Sequence, residues 1–398
     1  MFSKKNNNLF LIWLGQTISQ IGDSIYQLAL IWLVLDITDS SLYTGIIAMF
    51  AYLPAVIFGL FAGVITDRYD RFKILVLSNL AQAIMVAGIP LLIAYDDTNV
   101  WLICVFAFIK SCFNTFFQPA LNSFIPQVFN KSYLPKVNAI IATSGQLAWL
   151  LGPFFAGTIL TVLSLSNLFL IDSISFLISI GILLCVSKPQ HVLVESKVTK
   201  WNDLKEGLVL LKNQKSIFSL ITLTFVNNLF IMGPAIVGIP ILVKDILNGD
   251  AIDFAYIEGC MAAGALIGSI MVSQLQGKVK NGTLWVFGIL FDGLTMSILF
   301  WSKSVEAGML MLFLHGIGIP FIMVSRTSII QTHTSNKYHG RFFSFVHLGV
   351  VGTTAISSGL VGIVLASITV DKLFLFIGIG GASCGVLALI YTTIKNLK

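Results

Sequence analysis

The feature that most constrains this chain is an alternation of long uncharged runs with short charged segments. Residues 42–66 carry no charge, and a second uncharged run covers residues 74–95. Between them, five charged residues fall within Asp67–Lys73. A helix needs about 20 apolar residues to span a bilayer. Each run therefore predicts one membrane-spanning helix, and the charged segment predicts a short hairpin outside the hydrocarbon.

The rest of the chain repeats this pattern, and its composition agrees with it. Of the 398 residues, 56% are hydrophobic and only 11% are charged, whereas a soluble domain carries about a quarter charged residues. Transmembrane strands would alternate apolar and polar residues, and these runs do not alternate. We therefore predict an all-α membrane protein with twelve transmembrane helices, at residues 9–35, 42–66, 74–95, 100–125, 137–162, 167–187, 216–243, 254–276, 283–302, 307–330, 342–366 and 373–394.

The longest polar segment, residues 187–215, separates the first six predicted spans from the last six. We predict an N-terminal six-helix bundle over residues 1–187, a cytoplasmic linker over 188–215 and a C-terminal six-helix bundle over 216–398. Apolar residues recur at helical spacing in the linker, which is typical of a helix lying on the membrane surface. These residues are Trp201, Leu204, Leu208 and Leu211.

The basic residues predict the orientation. Most of the 24 Lys and Arg residues fall in the segments on the side of the N-terminus, and the opposite side carries only Lys244, Lys303 and Lys372. Because basic loops stay in the cytoplasm, we predict a multi-pass protein of the cell membrane with both termini cytoplasmic. The net charge of +6 then reflects topology, and no nucleic-acid partner is expected.

Cofactor and metal chemistry are not indicated. The five cysteines all lie in apolar runs and form no Cys-x-x-Cys pair, so we expect small core residues. A phosphate-binding P-loop is absent, which argues against ATP as the energy source. We expect no cofactor, no metal and no enzymatic activity.

The first span carries a polar stripe. Gln16, Gln20, Asp23 and Gln27 are spaced to share one helical face. Asp23 lies near mid-membrane, where an ionisable side chain costs several kcal/mol unless it is paired or hydrated. A structural carboxylate bonded between helices is one interpretation. Four polar residues on one face favour the other, a hydrated cavity in which Asp23 is functional.

Three motifs resemble the major facilitator superfamily. The hairpin reads Gly63-x-x-x-Asp67-Arg68-x-x-Arg71-x-Lys73 and is similar to its signature between helices two and three, although that family usually has Gly where Asp70 stands. Span five resembles the antiporter signature of its exporters through Gly145, Gly152, Pro153 and Gly157. Three short segments resemble the macrolide-efflux branch of its drug:proton antiporters. They are Trp13-Leu-Gly-Gln16, Gln118-Pro-Ala-Leu-Asn122 and Gly340-Arg341.

The resemblance implies two six-helix pseudo-repeats and a gate at the hairpin. Asp67 would contact Arg341 at the start of span eleven and hold the inner side shut. The rest of the motif is Gly63, Arg68, Arg71 and Lys73. A positive-inside anchor is the alternative for this segment, but Lys and Arg alone would serve that purpose, so the paired acids favour the gate.

The resemblance also implies that spans one, four, seven and ten line a central cavity, in which Lys110 would be the partner of Asp23. The expected substrate-cavity residues are Gln16, Gln20, Gln27, Lys110, Asn227, Asn228 and Arg326. Two alternatives stay open. The Arg326 side chain would reach the interface as readily as the cavity, and the two asparagines would serve equally well in hydrogen bonds between helices.

Three further acids compete with Asp23 for a coupling role. Asp172 and Asp292 fall in spans six and nine, which the resemblance places at the periphery, so we expect structural roles for them. Glu258, near the outer end of span eight, is a second proton-coupling candidate, with an interfacial carboxylate as its alternative.

The expected function is secondary active export of a small amphipathic compound, a drug or metabolite, by proton antiport with alternating access. The partners would be this substrate, protons and the lipid bilayer, and the protein would be a monomer. An uncoupled facilitator or importer of the same fold, and a lipid flippase, are the alternatives. Lys110 and Arg326 against Asp23 give the expected cavity a mildly positive charge, which favours a carboxylate-bearing metabolite.

Overall fold

The computed structural model describes residues 4–95, 99–186, 214–335, 338–390 and 397. Within them lie twelve long helices, which are α1 Lys4–Thr38, α2 Ser41–Arg68, α3 Arg71–Ala94, α4 Val100–Val128, α5 Leu134–Leu160, α6 Leu165–Leu184, α7 Lys215–Gly233, α8 Ala251–Leu275, α9 Asn281–Ile298, α10 Val305–His333, α11 His339–Val364 and α12 Val370–Ile390. Each contains a stretch long and apolar enough to cross a membrane. The prediction of an all-α protein with twelve spans is therefore confirmed.

Two helix boundaries show what the hydropathy pattern misses. The predicted spans 137–162 and 167–187 leave residues 163–166 for the turn between them, but α6 already begins at Leu165. Asn167 lies inside the first turn of α6, where its amide donates to Ser164 Oγ at 2.8 Å. The seventh span, predicted to end at residue 243, continues to Ile246. Beyond Gly233 it contains two π-helical segments, Pro234–Gly238 and Leu242–Ile246. Pro234 and Pro240 lie in or just before these segments, and a proline cannot donate the usual helical hydrogen bond.

The described residues fall into two compact units. One holds those within Met1–Asp39 and Phe50–Val198, and the other holds those within Ser40–Met49 and Thr199–Lys398. The predicted linker and its surface helix at Trp201, Leu204, Leu208 and Leu211 lie outside the described residues. The expected domain boundaries at 187 and 215 therefore stay predictions.

In the first unit, α1 packs against α5 and α6, and α3 packs against α4 and α6. A buried apolar cluster in this unit includes Ile12, Leu75, Phe124 and Val137. Gly22 brings α1 and α6 together, because a Cβ there would lie 2.5 Å from Asp172 Oδ1. The α1–α6 approach places polar residues of both helices side by side.

In the second unit, α9 packs against α10 and α12, α8 against α10, and α7 against α11. Small residues let these helices approach closely. A Cβ at Gly293 of α9 would lie only 2.7 Å from the carbonyl oxygen of Gly378 in α12. The first turns of α2 also group with this unit, where Ser41 Oγ donates to the carbonyl of Gly362 at 3.2 Å.

Candidate functional site

The polar stripe of α1 is tied into the first unit by hydrogen bonds. Gln20 Nε2 donates to Gln16 Oε1 at 3.1 Å, and Ser144 Oγ of α5 donates to Gln20 Oε1 at 3.2 Å. Further along the face, Gln27 Nε2 donates to the Tyr52 hydroxyl of α2 at 2.8 Å. The three glutamines therefore hold α1 against its neighbours, and the charge on this face comes from Asp23.

Asp23 is paired with Lys110 of α4. The Lys110 ammonium donates to Asp23 Oδ1, with side-chain exposures of 9% and 27%. The same ammonium lies 4.2 Å from the centre of the Tyr26 ring and 5.8 Å from that of Phe176, and such aromatic faces attract a cation. The expected pairing of Asp23 with Lys110 is thus present, and the two aromatic rings attract the same ammonium through cation–π contacts.

A second carboxylate lies beside this pair, at Asp172 of α6. It is fully buried and close enough to Asp23 and Lys110 to interact electrostatically with both. Ser175 Oγ lies 3.3 Å from its Oδ1, whereas its Oδ2 has no hydrogen-bond partner in the described part of the chain. Sequence reasoning placed Asp172 at the periphery. The signal it overlooked is Gly22, which lets α6 approach α1 at this level.

The glycines of the antiporter motif press α5 against the same stretch of α1. A Cβ at Gly152 would meet the Ser24 side chain and lie 3.5 Å from the Ser24 Cα. A Cβ at Gly145 would lie 3.4 Å from Gln20 Oε1, which is an ordinary contact. Pro153 and Gly157 are buried in the same helix. The motif thus sets the distance between α5 and the residue next to Asp23.

The hairpin between α2 and α3 gives a physical reason for Asp70. Asp70 is the N-cap of α3, and its Oδ1 accepts from the backbone N–H groups of Phe72 at 2.9 Å and Lys73 at 3.3 Å. A side chain at this position satisfies two otherwise unpaired donors. The capping role explains why this chain tolerates Asp where the resembled motif has Gly.

The gate itself stays a prediction. The side chains of Asp67 and Arg341 lie outside the part that the structure describes. Of the remaining motif residues, Arg68 ends α2, and the Gly63 carbonyl accepts from Thr66 Oγ1 at 3.0 Å. Lys73 is exposed in the first turn of α3.

A second buried polar cluster lies in the second unit. Asn227 Nδ2 of α7 donates to Asp292 Oδ2 of α9 at 3.0 Å. His315 Nε2 of α10 lies 3.5 Å from Asp292 Oδ1, and its Nδ1 lies 3.0 Å from Thr295 Oγ1. All four side chains are buried. The cluster ties three helices together, which agrees with the structural role expected for Asp292.

The other polar residues assigned to the cavity have simpler surroundings. Asn228 Nδ2 donates to the Val350 carbonyl at 3.0 Å and to Thr353 Oγ1 at 2.8 Å, both on α11. Asn227 and Asn228 therefore form hydrogen bonds between helices, the alternative that the sequence left open. Glu258 and Arg326 are half-buried, and neither pairs with another described residue.

A cavity of about 380 Å³ opens in the first unit, between α1 and the adjoining ends of α4 and α5. Its lining includes Gln20 of the stripe, Gln118 and Asn122 of the resembled efflux motif, and Gly145 of the antiporter motif. Residues singled out from the sequence for three different reasons thus meet around one space. Asn138 of α5, which sequence reasoning missed, lines it as well.

Comparison with known proteins identifies the family. Residues 3–397 match the family model described as transmembrane secretion effector. The chain belongs to this family of major facilitator transporters. The resemblance inferred from the motifs is therefore confirmed, and the protein is a multi-pass membrane transporter and not an enzyme.

Curated relatives match most of the chain. Macrolide efflux protein A of Streptococcus pyogenes is 25% identical over 381 residues, covering 93% of this chain and 92% of the relative. The protein of the same name from Enterococcus faecalis is 25% identical over 320 residues, covering 79% of this chain and 97% of the relative.

Solved structures of transporters share the fold. The nucleoside transporter NupG superimposes with a TM-score of 0.75 at 12% identity, covering all of both chains. A bacterial homologue of the iron transporter ferroportin, in an inward-facing state, gives a TM-score of 0.76 at 15% identity and covers 98% of each chain. At such low identity these likenesses establish the major facilitator fold alone.

Proposed function

We propose that this transporter exports a small amphipathic compound in exchange for protons, with the Asp23–Lys110 ion pair as the coupling site. The observation that carries the proposal is the contact between these two opposite charges inside the membrane-spanning part of the first unit. An ionisable group at this depth is costly and marks a functional site by default.

The pair provides a mechanism for coupling. A proton that binds Asp23 removes the negative charge that holds Lys110. The freed ammonium then has two nearby attractions, the ring of Tyr26 at 4.2 Å and the carboxylate of Asp172. Movement of the Lys110 ammonium from Asp23 to Asp172 would replace a contact between α4 and α1 by one between α4 and α6. Proton binding would thus change which helices are held together, the kind of link that alternating access requires.

The export direction is supported by the family description, transmembrane secretion effector, and by the efflux named for the streptococcal relative. We extend to this chain the handling of macrolide-like amphipathic compounds. Asp23 offsets the charge of Lys110 in the ion pair, so the expected preference for carboxylates rests on Arg326 alone, which is half-buried in α10. Both termini are proposed to be cytoplasmic, in accordance with the distribution of basic residues.

The test uses purified protein in proteoliposomes with radiolabelled erythromycin as the first probe. An imposed pH gradient should drive accumulation of the macrolide against its concentration gradient, and a protonophore should abolish this accumulation. Equilibration of the probe without accumulation would favour the uncoupled facilitator. Translocation of a labelled phospholipid at a higher rate than in protein-free liposomes would favour the flippase.

A further inference from the structure

The cavity at the α4–α5 end of the first unit has an unusual polar lining for a membrane-embedded bundle. Gln118 and Asn122 stand one turn apart on α4, and Asn138 lies opposite them on α5. Its described lining contains no charged residue. Three carboxamides of α4 and α5 therefore line one space of about 380 Å³, and Gln20 of α1 and Ser144 of α5 add further polar groups to the lining.

These three carboxamides have no internal partners. Gln118, Asn122 and Asn138 are exposed to the space between the helices, and none forms a hydrogen bond with another described residue. Gln20, on the far wall, is held by Gln16 and Ser144 and serves as a fixed boundary. Amides inside membrane bundles usually bond across helices, so three unpaired ones around a cavity are available to a ligand.

Apolar side chains complete the lining of the cavity. Ile125 and Ile141 are buried behind the carboxamides, and Leu134 lines the same cavity. A carboxamide both donates and accepts hydrogen bonds, and it carries no charge that would offset a charged ligand. The lining therefore suits an uncharged group that offers hydrogen-bond donors and acceptors together with apolar surface.

We propose that this cavity is a binding subsite for an uncharged hydroxyl- or amide-bearing portion of the exported compound. The inference rests on the proposed function, because it describes the substrate of the same transporter. The volume of 380 Å³ lies within the range of about 300–1,000 Å³ typical of small-molecule sites. The subsite lies on α1, α4 and α5. The substrate would therefore contact α1 and α4, which the Asp23–Lys110 pair connects, and α5, which packs against α1.

The same lining predicts selectivity. A site that hydrogen-bonds its ligand rejects an analogue lacking those groups, because the carboxamides are then desolvated without partners. A carboxylate would meet no cation in the described lining and would lose hydration. Neutral compounds with hydroxyl or amide groups should therefore bind more tightly than their carboxylate analogues or their deoxygenated analogues of similar size.

The test measures equilibrium binding to the full chain in detergent, with radiolabelled compounds in three size-matched sets. One set is neutral and carries hydroxyl or amide groups, one carries carboxylates, and one is neutral without hydrogen-bonding groups. Saturable binding should be confined mainly to the first set. Gln118→Leu and Asn138→Leu should each weaken it about tenfold, the usual effect of leaving a buried hydrogen-bonding partner unpaired.

The control is Asn130→Leu, the same substitution in the connection between α4 and α5, outside the cavity lining. It should bind like the wild type. The melting temperature of all three variants should be unchanged, because the replaced amides make no internal hydrogen bonds. Absence of binding by the first set, tighter binding of carboxylates, or binding unaffected by both cavity substitutions would overturn the subsite. Binding in detergent needs no pH gradient, so the failure of proton coupling would leave this result intact.

Discussion

The carboxylate of Asp23 on α1 contacts the ammonium of Lys110 on α4, although 87 residues separate them in the chain. Lys110 is only 9% exposed, so this contact is largely shielded from solvent. Loss of Lys110 would leave the Asp23 carboxylate without its partner, which is destabilising in a buried setting, whereas loss of Asp23 would leave the Lys110 ammonium beside the Tyr26 ring and Asp172. The pair therefore links the stability of the first unit to the charge state of one carboxylate.

Lys110→Met should change the pH dependence of transport and not merely its rate. The variant keeps the apolar stem but removes the cation that Asp23 contacts, so proton binding to Asp23 would no longer compete with an ammonium. Transport in proteoliposomes, measured across a series of pH values, checks this. Lys110→Arg is the matched control, since it keeps the charge. If the transport rate of Lys110→Met depended on pH in the same way as the wild-type rate, Lys110 would have no role in proton coupling.

Gly152→Ala should be far more damaging than Gly145→Ala. A Cβ at Gly152 would collide with Ser24 beside Asp23, whereas one at Gly145 would make an ordinary contact at 3.4 Å. Overpacking of this kind costs about 1–3 kcal/mol. We expect a lower melting temperature and reduced transport for the first substitution and little change for the second. Equal behaviour of the two variants would show that the α1–α5 distance is not critical.

Asp70→Ala should destabilise the start of α3 by about 1 kcal/mol, the usual result of removing an N-cap side chain. Asp70→Asn should be tolerated because its side-chain oxygen accepts the same hydrogen bonds. Asp70→Gly should lose only a few tenths of a kcal/mol. Thermal melting in detergent measures all three, and a melting temperature for Asp70→Ala equal to that of Asp70→Asn would argue against the capping role.

Asn227→Ala should lower stability by about 1 kcal/mol, in line with hydrogen bonds between membrane helices. The substitution leaves Asp292 Oδ2 without the donor that lies 3.0 Å away. A double-mutant cycle with Asp292→Asn isolates the interaction between the two side chains. Additive effects in the cycle would mean that the observed contact contributes nothing to holding α7 against α9.

Much of this architecture is predictable from sequence because span length and charge are local properties. The twelve helices and the pairing of Asp23 with Lys110 follow from such patterns and from the family resemblance. The position of Asp172 does not, because it depends on which face of α6 meets α1, and that face is selected by the close approach at Gly22. The same limit applies to Asp292, whose partners come from two other helices.

The capping role of Asp70 shows a different limit. The sequence shows that Asp70 departs from the family pattern, but only the backbone geometry at the N-terminus of α3 explains why an aspartate stands there. The cavity carboxamides show a third, because only packing reveals that Asn138 faces the same space as Gln118 and Asn122.

The most direct test of proton coupling is macrolide accumulation by Asp23→Asn in proteoliposomes with an imposed pH gradient. Glu258→Gln, which removes the other candidate acid, is the matched comparison. We predict that Asp23→Asn loses gradient-driven accumulation yet still exchanges labelled for unlabelled macrolide across the membrane, while Glu258→Gln accumulates normally. Accumulation by Asp23→Asn at the wild-type level under the same gradient would contradict the account.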